Sequence, residues 1–154
     1  YAPDLANRSA GKLFLGSYSV DKSGFETYNE GIAFRSRPTA VSGIYTFVQD
    51  YHDTSETGLV VISLVNDEGG KEVEIGRGVG YLKPSTSFTR FNVPVVYTIR
   101  NKRATRLKLM VASSNHASYS IEKESRNIKT SDYLETAVST GAELTVDQLS
   151  LLYE

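Results

Sequence analysis

The sequence predicts an all-β protein folded as an antiparallel β-sandwich, with a jelly roll as the expected topology. Three features support this fold: many short stretches alternate apolar with polar residues, turn-rich segments separate them at fairly regular intervals, and helical periodicity is almost absent. A length of 154 residues suits a single domain over residues 1–154. Within it, residues 1–9 are expected to form a leader segment without regular structure.

Composition and charge exclude several classes of protein. The chain contains no cysteine, which rules out a disulfide framework and cysteine-rich zinc sites. No apolar run approaches the roughly 20 residues of a membrane helix, and a net charge of -1 gives no general attraction to nucleic acid. The chain begins at Tyr1 without a signal-peptide pattern, which suggests a mature product or the C-terminal part of a longer protein.

The first predicted strands lie in the N-terminal third of the chain. Residues 12–18 (KLFLGSY) carry apolar side chains at both parities, which is typical of a strand partly covered on each face. Residues 31–47 (GIAFRSRPTAVSGIYTF) predict a strand, a turn and a second strand. In that second strand Val41, Tyr45 and Phe47 share one parity, so one face is predicted to be buried.

The strongest candidate for a central strand is residues 59–65 (LVVISLV). This run is apolar at both parities, as expected for a strand covered on both faces. A buried helix of that length shows the same pattern, but the β-branched content favours the strand. Residues 88–97 and 107–111 alternate again, and Pro94 indicates an edge strand or a bulge.

The polar segment of residues 115–140 is predicted to be a long loop. Asp132 followed by Glu135 forms a capping box, so one short helix could begin there.

The final stretch, AELTVDQLSLLYE, changes the parity of its apolar residues. Leu144 and Val146 have one parity, whereas Leu149 and Leu151 have the other. A β-bulge at Asp147 and Gln148 would reconcile the two halves of one strand.

Three sequence blocks resemble a known family when they are taken together. The blocks are SAGKLFLGSY (residues 9–18), GIAFRSRPTAVSGIYTF (residues 31–47) and GAELTVDQLSLLYE (residues 141–154). In this order they resemble the carbohydrate metabolism domain family of Bacteroidetes surface and secreted proteins. The RPTA turn before a Gly-Ile-Tyr strand carries most of the resemblance, together with a last strand of the form Leu-x-Val-Asp-x-x-x-Leu-x-Tyr.

The resemblance implies a jelly roll similar to carbohydrate-binding modules. It implies a non-catalytic module of an exported protein, in the periplasm or at the outer-membrane surface, that takes part in glycan utilisation. The expected partner is a poly- or oligosaccharide, and no cofactor is required. An acid near the last strand often helps to ligate a structural calcium ion in such folds, which singles out Asp147. The alternative for Asp147 is a hydrogen bond to nearby backbone at the bulge.

Aromatic side chains are the first candidates for sugar contacts, because flat rings stack on pyranose faces. Tyr119 and Tyr133 lie in the predicted loop and are the preferred ligand-binding candidates. Tyr81 is a further candidate, but like Tyr45 and Tyr51 it lies on a strand face that a sandwich normally buries, so packing is the alternative.

Residues 73–81 place an arginine among apolar residues. Val73, Ile75, Val79 and Tyr81 share its parity, so this face is predicted to be buried. The arginine, Arg77, completes the ligand-binding set, and a buried arginine demands a nearby carboxylate. The opposite parity holds Gly76, Gly78 and Gly80, where a bulky neighbour can approach the backbone closely. Aromatic packing is favoured there over a ligand.

Two other functions stay open. A structural or adhesion module would contact other domains or subunits through its strand edges. A glycoside hydrolase would need two carboxyl groups about 5 to 10 Å apart across a cleft. The acids available for that role, none of them singled out as a pair by spacing, are Glu26, Glu30, Asp50, Asp53, Glu135 and Asp147.

One basic cluster precedes the strand of residues 107–111. It consists of Arg100, Lys102, Arg103 and Arg106. A solvated hairpin end is the favoured interpretation, and an anionic glycan site is the alternative.

Overall fold

The protein is a β-sandwich of two antiparallel sheets with a small third sheet. The computed structural model describes residues 10–20, 22, 25–50, 54–116, 126–127 and 141–154. Every strand pair in these ranges is antiparallel, and they contain no helix. The predicted sandwich is therefore confirmed. The jelly-roll topology stays a prediction, and the helix predicted near Asp132 lies outside the described residues.

The larger sheet has six strands. They are β1 (Lys12–Phe14), β4 (Ile32–Ala33), β6 (Gly58–Asn66), β7 (Val73–Leu82), β9 (Val96–Tyr97) and β10 (Arg106–Ala112). β6 lies between β10 and β7, and β9 pairs with the outer edge of β7. β1 and β4 both pair with β10, at opposite ends of that strand.

The second sheet has three strands, and so does the small sheet. In the second sheet, β5 (Ala40–Val48) lies between β8 (Ser85–Pro94) and β12 (Glu143–Leu152). The small sheet joins β2 (Gly16–Val20), β3 (Phe25–Glu30) and β11 (Arg126–Asn127). Pro94 ends β8, which is an edge strand, and this confirms the position predicted for the proline.

The single strand predicted for residues 12–18 is in fact two strands in different sheets. β1 ends at Phe14, and β2 begins at Gly16, whose φ is 146°. Between them, the Leu15 N–H donates to the Leu109 carbonyl and the Leu15 carbonyl accepts from the Gly31 N–H. The chain therefore bends at a glycine that side-chain parity could not reveal, because both halves carry apolar residues.

The core lies between the larger sheet and the second sheet. Its buried residues from β5 and β6 are Val41, Tyr45, Phe47, Val60, Ile62 and Leu64. The other face of β6 is also buried, with Leu59 and Val61 packed against Met110 and Ala112 of β10. This confirms the prediction of a central strand covered on both faces. Burial of each such side chain stabilises the folded state by about 1.5 to 3 kcal/mol.

The last strand contains the predicted β-bulge. Asp147 pairs with Ile44 and Ser150 pairs with Ser42, so two residues of β12 lie opposite Gly43. Gln148, the first of them, has a φ of 55°. A Cβ on Gly43 would lie only 2.8 Å from the Phe91 ring and 3.0 Å from the Asp147 carbonyl oxygen. Because Gly43 has no side chain, the bulged strand and the Phe91 ring can both pack directly against its backbone.

The RPTA segment is held in place by its arginine. The Arg37 guanidinium donates hydrogen bonds to the carbonyls of Ile99 at 3.2 Å, Arg100 at 3.3 Å and Lys102 at 2.9 Å. It also stacks over the Tyr97 ring, with its Cζ atom 4.2 Å from the ring centroid. The Tyr97 hydroxyl in turn donates to the Pro38 carbonyl at 2.7 Å. The segment and the turn that follows β9 thus form one connected unit.

Candidate functional site

A β-bulge in β7 decides which side chains reach the surface. Val65 pairs with Glu74 and Leu64 pairs with Gly76, which leaves Ile75 as an extra residue. Ile75 and Gly76 are both buried. After the bulge, the odd-numbered residues therefore point to the face opposite that of Ile75, which simple alternation does not predict.

The bulge makes the prediction of a buried face at residues 77–81 wrong. The side chain of Arg77 is 43% exposed, Val79 is 42% exposed and Tyr81 is 62% exposed. The packing interpretation of Tyr81 fails for the same reason. Tyr45, by contrast, is buried as predicted, and its hydroxyl donates to the Lys83 carbonyl at 2.9 Å.

The glycine face of β7 points into the sandwich and is filled by protein. A Cβ on Gly76 would lie 2.5 Å from a carbon of the Tyr97 ring. A Cβ on Gly78 would overlap the Pro94 carbonyl, and one on Gly80 would overlap Val93. This confirms the predicted close approach, with an aromatic ring at the first glycine. The close packing supports the exposed face of β7 from below.

Four side chains form the exposed surface that we call the β7 patch: Arg77, Val79, Tyr81 and Val96. Val96 lies in β9 directly opposite Arg77 and is 66% exposed. Residues at alternate positions of one strand share a face, so Arg77 and Tyr81 lie about 13 Å apart along β7. That length suits two or three successive groups of an extended ligand better than a compact small molecule.

Polar groups lie at the arginine end of the β7 patch. The Ser63 hydroxyl donates to Glu74 Oε2 at 2.6 Å, and the Arg77 guanidinium lies 3.8 Å from the same oxygen. The carboxylate predicted near Arg77 is therefore present, although the arginine is exposed rather than buried. The patch thus combines an open aromatic ring with hydrogen-bond donors on Arg77 and an acceptor, Glu74, that Ser63 orients.

Asp147 lies away from the β7 patch, in the second sheet. It is exposed, and its Oδ1 atom accepts a hydrogen bond of 2.7 Å from the backbone N–H of Gln148. This contact is the backbone alternative considered for the acid. Within the described ranges, no group of three or more histidine or acidic side chains is placed to hold a metal ion.

The remaining candidate residues are separated or undescribed. Tyr119, Tyr133 and Tyr51 lie outside the described residues. The structure therefore places Tyr81 and Arg77 on one exposed face of β7, and it places Asp147 in the other sheet.

Three acids considered for hydrolysis have partners in different parts of the fold. Glu30 lies 3.7 Å from the Lys108 ammonium, and Asp50 accepts a hydrogen bond from the Gly141 N–H at 3.0 Å. Asp147 bonds to its neighbouring backbone. The side chain of Glu26 and the whole of Asp53 and Glu135 lie outside the description.

The basic cluster of the sequence divides into two parts. Arg106 is paired, with its guanidinium 3.1 Å from Asp67 and 2.7 Å from Glu72. Arg100, Lys102 and Arg103 are exposed in the turn after β9.

The Arg106 partner Asp67 has a perturbed acidity. The hydrogen bond from the Thr105 hydroxyl, at 2.6 Å, is the largest cause holding the pKa of Asp67 below its ordinary value. Desolvation opposes it, and the Arg106 charge adds a smaller lowering effect.

Sequence reasoning missed Val96, Ser63 and Glu74 as neighbours of the candidate residues. Their proximity depends on the register of three strands, which no local pattern supplies. One signal was present: an arginine on an otherwise apolar face indicates that this face is the solvent side.

No protein-family model matches the chain, and a search of curated proteins finds no match. The resemblance drawn from the three sequence blocks therefore stays a prediction. The described part of the chain has no helix long and apolar enough to cross a membrane.

Proposed function

We propose that this protein is a non-catalytic carbohydrate-binding module of an exported or cell-surface bacterial protein, and that the β7 patch is its glycan site. The observation that carries the proposal is the 62% exposed ring of Tyr81 on a strand whose other face is packed. An aromatic ring held open on a sheet offers a flat apolar surface to a pyranose ring without a conformational change.

The polar end of the patch supplies the second requirement of sugar recognition. Arg77 offers N–H donors, and Glu74 offers a carboxylate acceptor that Ser63 already orients. These groups suit the hydroxyls of a second or third sugar unit, since they lie about 13 Å along the strand from Tyr81. The site favours a chain of sugars over a monosaccharide.

A panel of neutral polysaccharides in affinity gel electrophoresis tests the proposal. Tyr81→Ala should weaken binding about tenfold, because one stacking contact of roughly 1.4 kcal/mol is lost. Tyr81→Phe keeps the ring and should bind within about threefold of the parent. Phe88→Ala removes another ring, which is 56% exposed and lies in β8 of the second sheet, and it is the matched control.

Two outcomes of this experiment contradict the proposal. One is the absence of binding to every polysaccharide in the panel. The other is an equal loss of affinity in Tyr81→Ala and in the Phe88→Ala control.

Calcium at Asp147 is a separate part of the proposal. If the module uses a structural calcium ion, Asp147 supplies one of its oxygen ligands. Calorimetry should then show calcium binding that Asp147→Asn abolishes, and a chelator should lower the melting temperature. No heat of binding together with an unchanged melting temperature would exclude the ion.

A protein-contact module is the second candidate function, and the valines of the β7 patch favour it. Val79 and Val96 add exposed apolar surface beside Tyr81, which also suits a protein partner. Analytical ultracentrifugation distinguishes the two functions. Self-association that Val96→Asp abolishes, without any glycan binding, would favour the protein-contact module.

A further inference from the structure

Several cations gather where the segment before β5 meets the turn after β9. We call this region the basic end and define it by Arg35, Arg100, Lys102, Arg103 and Tyr153. All five residues are exposed. Arg35 lies two residues before Arg37, whose guanidinium bonds directly to carbonyls of the turn. The segment that carries Arg35 is therefore held beside the turn that carries the other three cations.

The backbone under these cations is firmly held. Arg37 binds three carbonyls of the turn, and the Arg103 carbonyl accepts a further hydrogen bond of 2.9 Å from the Asn66 side chain. Asn66 itself is buried. A turn fixed in this way presents its charged side chains from defined positions, which lowers the ordering cost of binding a ligand.

The cations of the basic end lack carboxylate partners in the described part of the chain. No Asp or Glu oxygen there lies within 4.0 Å of a side-chain nitrogen of Arg35, Arg100, Lys102 or Arg103. The neighbouring acids are few, and one of them, Asp67, is already paired with Arg106 and bonded to the Thr105 hydroxyl. Glu68 lies 3.4 Å from the Asn66 amide, and Glu154 follows Tyr153 in the chain. Positive charge therefore predominates locally, although the whole chain has a net charge of -1.

An exposed aromatic ring adjoins this charge. Tyr153 follows Leu152, whose carbonyl accepts hydrogen bonds from the N–H of Thr39 at 2.7 Å and its hydroxyl at 3.2 Å. Thr39 is the third residue of RPTA, and the preceding carbonyl is bound by Tyr97. Tyr153 is thus anchored beside the Arg37 unit while its own side chain is 54% exposed.

We propose that the basic end is a second binding site, which takes the carboxylate or sulfate groups of an anionic polysaccharide. Four exposed cations bind the charged substituents, and Tyr153 packs against a sugar face. The site does not depend on the β7 patch, because it uses none of the residues of that patch.

An anionic polysaccharide fits these features better than a nucleic acid. A duplex is bound through an extended array of phosphate contacts, and the chain as a whole is slightly acidic. A short cluster beside one aromatic ring suits a chain of charged sugars, in which each unit offers both an anion and an apolar face.

Titrations with four probes test the proposal: heparin as the sulfated chain, polygalacturonate as the carboxylated chain, dextran as the neutral chain, and duplex DNA. Arg100→Ala/Arg103→Ala should weaken binding of the preferred anionic polysaccharide roughly tenfold, or about threefold for each exposed charge. Lys22→Ala/Arg90→Ala removes two exposed cations elsewhere and should leave the affinity unchanged.

The aromatic part of the site has its own test. Tyr153→Ala should weaken binding about fivefold, whereas Tyr153→Phe should stay within about twofold. Tyr81→Ala should have no effect on the anionic chain, so failure of the β7 patch and failure of the basic end can be told apart. Binding should also weaken as NaCl rises from 50 to 300 mM, because salt screens exposed charges.

Each unfavourable result overturns the proposal. If neither heparin nor polygalacturonate binds, the proposed site does not exist. Equal losses in the two double variants would assign the binding to net charge alone. DNA binding at least as tight as that of both polysaccharides would assign the surface to nucleic acid instead.

Discussion

Replacement of Arg37 should destabilise the protein much more than replacement of the exposed Arg35 two residues away. Its guanidinium makes three hydrogen bonds to backbone carbonyls and stacks on Tyr97. In Arg37→Ala, the carbonyls of Ile99, Arg100 and Lys102 lose these donors. The turn after β9 then loses its connection to the segment that leads into β5.

The magnitude follows from the individual contacts. Two of the three hydrogen bonds are exposed to solvent and one is partly buried, so about 1 kcal/mol each is a suitable value for bonds from a charged donor. The stacking on Tyr97 adds about 0.5 kcal/mol. Arg37→Ala should therefore lower the free energy of unfolding by about 3.5 kcal/mol. Arg37→Lys should lose about half of that, because one ammonium cannot reach all three carbonyls.

Thermal and urea denaturation followed by circular dichroism measure this loss. For a domain of this size, about 3.5 kcal/mol lowers the melting temperature by roughly 7 to 14 °C. Arg35→Ala removes an exposed arginine two residues away and should change the free energy by less than about 0.5 kcal/mol. If Arg37→Ala and Arg35→Ala are equally stable, the connecting role of Arg37 is refuted.

Two further predictions concern packing and pH. Gly76→Ala should lower the free energy of unfolding by about 2 kcal/mol, because its Cβ would lie 2.5 Å from the Tyr97 ring. In the control Gly11→Ala, the Cβ would lie at an ordinary 3.5 Å from the Ser113 hydroxyl, so this variant should be nearly neutral in the same denaturation experiments. Because the pKa of Asp67 is lowered on folding, its contribution is present above the unfolded pKa of about 3.9 and is lost as the pH falls through the folded pKa. Urea midpoints measured between about pH 5 and pH 2 should thus fall less steeply for Asp67→Asn than for the parent, and parallel curves would contradict the role of Asp67 with Thr105.

The β-bulges in β12 and β7 show where the sequence is informative. In β12 the apolar residues change parity between Val146 and Leu149, and the bulge follows directly from that change. In β7 no such change is visible, since Val79 and Tyr81 keep the parity of Ile75 after the faces are exchanged. Apolar side chains on a solvent face conceal the bulge from any argument based on alternation.

The candidate site was predictable only in part for the same reason. Composition and strand spacing identify Tyr81 and Arg77 as candidates, but their exposure depends on the bulge. The position of Val96 depends on the chain crossing from the second sheet to the larger sheet after Pro94. Both are consequences of tertiary packing, which places a few residues far apart in sequence on one surface.

The most direct test of the glycan-binding proposal is an NMR titration with the polysaccharide fragment that binds best. We predict that amide shifts concentrate at Arg77, Val79, Tyr81 and Val96, with smaller changes at Ser63, which bonds to Glu74. Shifts that cluster instead around Asp147 or in residues 115–140, with the β7 patch unchanged, would contradict the proposal.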